Sequence, residues 1–200
     1  MRIGLDFDNT LVGYDHLFAE EAAAQGLVDV RGGKRTLRDG LRALPDGERR
    51  WQAVQAAVYG RRMAEARLMP GADAFLRTCK AAGVLVVIVS HKTRHASLDP
   101  GGIDLRAAAL SWMQSQDFFA TDGFGLDPDC VYFEPTRQDK IGRIGALGCT
   151  DFVDDLVEVF FEPAFPAEVR RHLYDPGETP APPGPYTAYR SWEALADALL

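Results

Sequence analysis

Two carboxylates, Asp6 and Asp8, close the apolar run of residues 3–7 near the start of the chain, and Thr10 follows them at once. On an extended backbone residues two apart share a side, so Asp6 and Asp8 point one way and Phe7 the other. Carboxylates crowded in this way repel each other unless cations neutralise them. Three later apolar runs each lead into another reactive group: Ser90 after residues 84–89, Lys140 beyond residues 130–133, and the pair Asp154-Asp155 after residues 152–153. Four carboxylates with a lysine and two hydroxyls make an all-oxygen site. No His or Cys stands at competing spacing, so the set suits Mg²⁺ and not Zn²⁺. The cysteines Cys79, Cys130 and Cys149 read as buried, reduced thiols.

Such groups converge only if the elements carrying them do. The four runs 3–7, 84–89, 130–133 and 152–153 are short, rich in β-branched and aromatic residues, and lack polar alternation, which is the pattern of strands buried on both faces. Helical patterns separate them. Residues 71–82 carry Phe75, Leu76 and Cys79 on one stripe and end at Gly83; residues 104–115 carry Leu105, Ala108, Ala109, Trp112 and Met113; residues 136–147 open with Thr136 and Asp139 at capping-box spacing and close at Gly148. Strand and helix in alternation predict an α/β fold, a doubly wound parallel sheet whose ligand crevice lies at the carboxyl ends of the strands. Asp151 precedes the last apolar pair and is expected at that strand's start, away from the crevice.

Between residues 12 and 69 the alternation stops. No strand candidate occurs there, only helical material at 16–26, 36–44 and 48–67. A small all-helical module, leaving at Gly13 and returning at Pro70-Gly71, is the expected arrangement: core residues 1–12 and 70–200, helical cap 13–69. The proline-rich stretch 175–185 reads as a surface loop.

With those residues in place, the chain resembles the haloacid dehalogenase superfamily over essentially its whole length. The superfamily's first motif, a buried strand running into D-x-D-x-T, is matched by Asp6-Phe7-Asp8-Asn9-Thr10; the second by Ser90, the third by Lys140 and the fourth by Asp154-Asp155, all in order. The helical insert matches a cap placed just after the first motif, over a Rossmann-like core. Standing alone, Ser90 is equally a loop or capping hydroxyl and Lys140 a solvated first-turn lysine; the set gives them their force. The resemblance implies a phosphohydrolase acting on a small-molecule phosphate monoester. Asp6 would attack phosphorus to form an aspartyl-phosphate, and Asp8 would protonate the leaving alcohol and then activate water. Mg²⁺ would be held by Asp6, the Asp8 carbonyl, Asp154 and Asp155, the last directly or through water. Thr10, Ser90 and Lys140 would grip the phosphoryl oxygens, and the cap would close as a lid whose candidate substrate contacts are Tyr14, His16, Tyr59, Arg61 and Arg62. Phosphomutase chemistry uses the same motifs and stays open, as does a catalytically silent binding module. Dehalogenation needs no metal and leaves Asp8 and Asp154-Asp155 without a task.

A net charge of −7 gives no bulk attraction for nucleic acid, although a few placed cations can still bind a small anion. With 46% hydrophobic and 26% charged residues the chain can bury one substantial core. Its longest clear apolar run, 84–89, is far too short to span a bilayer, and with no signal-type segment the expected location is the cytoplasm. The run Ser90-His91-Lys92-Thr93-Arg94-His95 follows the second strand and holds four groups that are or can become cationic. Such a run is equally a solvated loop; facing the crevice, it would put His91, Lys92 and Arg94 beside the phosphate, where the cap pair Arg61-Arg62 could close over them. That would favour a small polar phosphorylated metabolite, such as one with a second anionic group, over a lipid or a protein.

Overall fold

A computed structural model describes the whole 200-residue chain except residues 28, 30, 32, 97, 99–101 and 178–180. Part of the proline-rich stretch 175–185 and short pieces of the expected insert thus lie outside the described residues. The chain divides into two compact units: Met1–Gly13 with Leu68–Lys92 and Gln116–Leu200, and Tyr14–Arg67 with Thr93–Ser115.

Among the described residues of the first unit, six strands form a wholly parallel sheet in the order β5-β4-β1-β6-β7-β8. They are β1 (Arg2–Leu5), β4 (Leu85–His91), β5 (Val131–Glu134), β6 (Asp151–Asp154), β7 (Arg170–Tyr174) and β8 (Thr187–Tyr189). From β1 the chain builds outward to β4 and β5, then returns to the other side of β1 for β6. This places the topological switch, where α/β sheets open a ligand crevice, at β1 and β6.

Register and alternation assign the faces. Gly4 of β1 lies opposite Val87 of β4 and Phe152 of β6. Val87, Val89, Phe152 and Leu173 join Ile141, Ile144, Val159, Phe160 and Phe165 in one apolar cluster, which seats α6 (Arg137–Ala146) and α7 (Val157–Phe160) on that face. A Cβ at Gly4 would come within 2.5 Å of the Phe152 ring, so the glycine leaves the room that ring occupies. Elsewhere in the unit α4 (Ala72–Ala81) packs with α8 (Trp192–Leu199) through Phe75 and Trp192, whose rings lie 4.9 Å apart. The local signals act as expected. Gly71 and Gly83 flank α4 with positive φ, and Thr136 Oγ1 accepts the Asp139 N–H at 3.1 Å to start α6.

β7 and β8 carry no strand signal in the sequence. β7 is the polar run Arg170-Arg171-His172 followed by Leu-Tyr, and it is stabilised by partners distant in the chain: Arg170 and His172 on Asp151, Arg171 on the Phe160 carbonyl. The expectation of no strand between residues 12 and 69 is also corrected. The two-residue strands β2 (Val12–Gly13) and β3 (Arg67–Leu68) pair with each other, and the Met69 N–H donates to the Leu11 carbonyl at 2.8 Å.

The second unit is helical: α1 (Asp15–Ala24), α2 (Lys34–Arg42), α3 (Gly47–Ala56), a π-helical turn (Ala57–Arg61), a 3₁₀ turn (Met63–Glu65) and α5 (Leu105–Ser115). The single helix expected over 48–67 is therefore broken into three pieces. Phe18 stacks on Trp51 at 5.4 Å and Tyr14 meets Tyr59 edge-on at 5.1 Å. Membership of α5 differs from the expected boundaries, which kept residues 70–200 with the sheet. Its apolar stripe Leu105, Ala109, Trp112 and Met113 is buried in the helical unit, and Trp112 Nε1 donates to the Ala66 carbonyl at 3.0 Å. Periodicity announces such a stripe without naming what it packs on. No described helix is long and apolar enough to cross a membrane.

Candidate active site

Asp6 stands one residue past β1, and its N–H still donates to the Val153 carbonyl at 2.9 Å, so pairing with β6 carries into the loop. The next residues turn tightly. Leu11 and Val12 both donate to the Phe7 carbonyl, Asn9 donates to Val12, and Asn9 takes φ 61°, a left-handed conformation that Asn accepts more readily than most residues. This turn carries Thr10 back over Asp6. The buried Thr10 hydroxyl lies 3.5 Å from Asp6 Oδ2 and 3.3 Å from Asp155 Oδ1, and the Thr10 carbonyl accepts Trp192 Nε1 at 3.2 Å. Sequence reasoning missed that tryptophan: Ser191 signals a helix start, but nothing local links it to a partner 182 positions away.

Asp6 and Asp154 share the parity of Gly4 and Phe152 along their strands and so face α6, where Lys140 emerges beside the buried Ile141 and Ile144. The Lys140 ammonium lies 2.6 Å from both Asp6 Oδ1 and Asp154 Oδ2. A second ammonium, that of Lys92 just beyond β4, lies 2.9 Å from Asp8 Oδ2 and 3.1 Å from Oδ1. Asp6, Lys92, Lys140 and Asp154 are 4%, 4%, 2% and 0% exposed, so water screens these charges poorly. Asp154 Oδ1 accepts the Leu156 N–H at 3.0 Å, which shapes the loop bearing Asp155. Ser90, also buried, is the penultimate residue of β4 and lies opposite Phe133.

Four carboxylates face two ammonium groups, so acidic groups outnumber the basic ones. Burial, aided by Asp154 and Asp8, pushes the Asp6 carboxyl up to about 7 against the pull of Lys140. Burial alone would lower Lys140, but Asp154 and Asp6 more than offset it and raise the group. The donor set fits a hard divalent cation: Asp6, Asp154 and Asp155 each offer a carboxylate oxygen within 4.8 Å of the others, with no sulfur or imidazole in the group.

The remaining candidates are placed elsewhere. His91 is exposed, with Nε2 3.0 Å from the Pro135 carbonyl. Arg94 belongs to the helical unit and pairs with Asp104 at 3.4 Å; His95 Nδ1 lies 3.3 Å from the Ile103 carbonyl. The cationic run is thus dispersed: Lys92 reaches the carboxylates, His91 turns to Pro135 in the same unit, and the chain beyond Lys92 enters the other unit, where Asp104 and the Ile103 carbonyl take Arg94 and His95. The five lid candidates are likewise engaged inside the helical unit. Tyr14 is buried with its hydroxyl 3.5 Å from Met63 sulfur, Tyr59 packs on Tyr14, His16 contacts the Glu65 carbonyl, and Arg61 and Arg62 both pair with Glu21.

No protein-family model matches the sequence, and no curated protein does. Solved structures are similar. A HAD family hydrolase of Deinococcus radiodurans R1, with bound phosphate and sodium, is 17% identical with a TM-score of 0.55, covering 99% of this chain and 94% of that one. A haloacid dehalogenase-like hydrolase of Streptococcus pneumoniae is 14% identical, TM-score 0.59, covering 98% and 97%. A dehalogenase in an intermediate complex is 15% identical, TM-score 0.60, covering 99% and 96%. Parallel sheet, helical insert and end-to-end coverage agree: this chain has the fold of the haloacid dehalogenase superfamily.

Proposed function

We propose that the chain is a Mg²⁺-dependent phosphohydrolase that cleaves a phosphate monoester of a small polar metabolite through an aspartyl-phosphate on Asp6. The observation that carries the reading is the convergence of Asp6, Asp154 and Asp155 on one point with Lys140 bridging the first two. Asp6 attacks phosphorus, forming one P–O bond as the bond to the leaving oxygen breaks, while Asp8 gives that oxygen its proton. Asp8 then takes a proton from water, which attacks phosphorus and releases phosphate, restoring Asp6. Thr10, Ser90 and Lys140 bind phosphoryl oxygens and hold the group in line. Held by Asp6, the Asp8 carbonyl, Asp154 and Asp155, Mg²⁺ would offset the charge of the carboxylates and of the phosphoryl group.

The test is phosphate release from p-nitrophenyl phosphate and a panel of phosphorylated metabolites, with Mg²⁺ and with chelator. Asp6→Asn is nearly isosteric and should cost about a thousandfold or more in kcat; retention of more than about a hundredth would sink the covalent mechanism. The likeness to a dehalogenase supports a second reading, and halide release from a 2-haloacid in chelator is the outcome that would favour it.

A further inference from the structure

The site holds one more buried cation than phosphoryl binding by Lys140 requires, and its geometry gives it a different task. We propose that Lys92 is a positioning residue for Asp8, aiming that carboxyl at the leaving oxygen, and so determines how well the enzyme expels a basic leaving group. The proposal rests on the phosphohydrolase reading above.

The two ammonium groups contact different carboxylates. Lys140 contacts Asp6 and Asp154, the residues placed at phosphorus and metal; Lys92 contacts both oxygens of Asp8, at 2.9 and 3.1 Å. Lys92 is also anchored along its length. Its N–H donates to the Glu134 carbonyl at 3.0 Å, extending the β4–β5 ladder by one residue, and its ammonium lies 5.7 Å from the centre of the Phe7 ring. Its side chain is 3% exposed against 19% for Asp8, so the buried partner is the lysine and the carboxylate is the one nearer solvent. A solvated ion pair holds little geometry, whereas a desolvated ammonium loses much on leaving its counter-charge and therefore holds that carboxylate in place. The Asp8 backbone is set by the turn through Asn9 and by its bridge to Val12, and Lys92 adds its contacts to both carboxylate oxygens.

Proton donation matters in proportion to the basicity of the leaving oxygen, so a misaimed Asp8 penalises poor leaving groups more than good ones. The experiment is kcat/KM, which reports the steps up to departure of the leaving group, for phenyl phosphates bearing nitro, chloro, no, or methoxy substituents. Lys92→Met should make the plot of log kcat/KM against leaving-group basicity steeper, with the methoxyphenyl ester losing about tenfold more than the nitrophenyl ester. Asp8→Asn should steepen it in the same sense, and Lys92→Met added to Asp8→Asn should steepen it no further. Lys92→Arg, which keeps a cation in the slot, should give a slope between wild type and Lys92→Met, and it carries the test if thermal melting shows that Lys92→Met does not fold. A parallel fall for all esters would assign Lys92 to the phosphoryl group and overturn the proposal, as would no fall in any variant. Failure of the underlying function looks different: wild type releases phosphate from none of the esters, or Asp6→Asn still does.

Discussion

Asp151 and Asp154 open and close the same four-residue strand, both fully buried, and they lead opposite lives. Asp151, at the amino end, is surrounded by donors: Arg170 Nε and Nη2 at 2.8 and 2.9 Å, His172 Nε2 at 2.8 Å and Thr150 Oγ1 at 2.8 Å. Burial pushes this carboxyl up, but the hydrogen bonds from Arg170, Thr150 and His172 outweigh it and hold the group below the usual carboxylate value. Asp154, at the carboxyl end, shares one lysine with Asp6 and lies among other carboxylates. One end of the strand is surrounded by donors from the chain itself; at the other, acidic groups outnumber the basic ones. A buried charge completed by its own protein is costly to break, and one left incomplete can be completed by a ligand, at some expense in stability.

The sharpest way to break this contrast is to neutralise each carboxylate in turn. Under the proposed function, Mg²⁺ should raise the melting temperature of the wild type, and Asp154→Asn should abolish that rise and lower kcat/KM by about a thousandfold. Asp151→Asn should keep that Mg²⁺-dependent rise. If both variants lose it, or neither does, the two ends of β6 are not distinct in the way described.

A smaller effect is expected on stability. Asp151→Ala removes the acceptor shared by Arg170, Thr150 and His172 and should cost about 2–3 kcal/mol in denaturant unfolding, discounted because Arg170 is largely exposed. A loss under about 0.5 kcal/mol would show that the cluster does not hold β6 to β7.

The smallest effect is on pH. His172 is buried with Nε2 on Asp151, and among the described residues its Nδ1 has no hydrogen-bond partner. Burial lowers its pKa despite the opposing pull of Asp151. The unfolded chain then binds the proton more readily, so this contribution is complete above the ordinary histidine value and is lost as pH falls below it. Wild-type stability should decline by about 1 kcal/mol or less between about pH 7 and pH 5, and His172→Gln should flatten that part of the profile. An unchanged profile would mean that Nδ1 finds an acceptor on protonation.

Much of the sheet edge that carries the candidate site was legible because its signals are local. The apolar runs ending at Asp6, Ser90 and Asp154 are β-branched and short, and the chain itself sets where each ends. Thr136, Gly71 and Gly83 marked helix boundaries for the same reason: capping and left-handed φ are settled by one or two residues. β7 was illegible because its polar run depends on acceptors such as Asp151 that arrive from another part of the chain, and β8 because it is three residues long and pairs only with β7 among the described strands.

The cationic run after β4 marks the boundary between the two kinds of information. By itself the sequence determined that Asp6, Ser90, Lys140 and Asp154-Asp155 follow successive strands or open the next helix, since strand ends in a parallel sheet all meet at one edge. Which of His91, Lys92, Arg94 and His95 would meet the carboxylates was decided only by the tertiary structure. The four are equivalent as a composition, but Lys92 is tied by its backbone to Glu134 beside Asp8, while Arg94 and His95 pass into the helical unit and bind there. Membership of α5 was decided in the same way. Periodicity specifies that a helix has an apolar face, and only the surfaces available to it in three dimensions decide what that face covers.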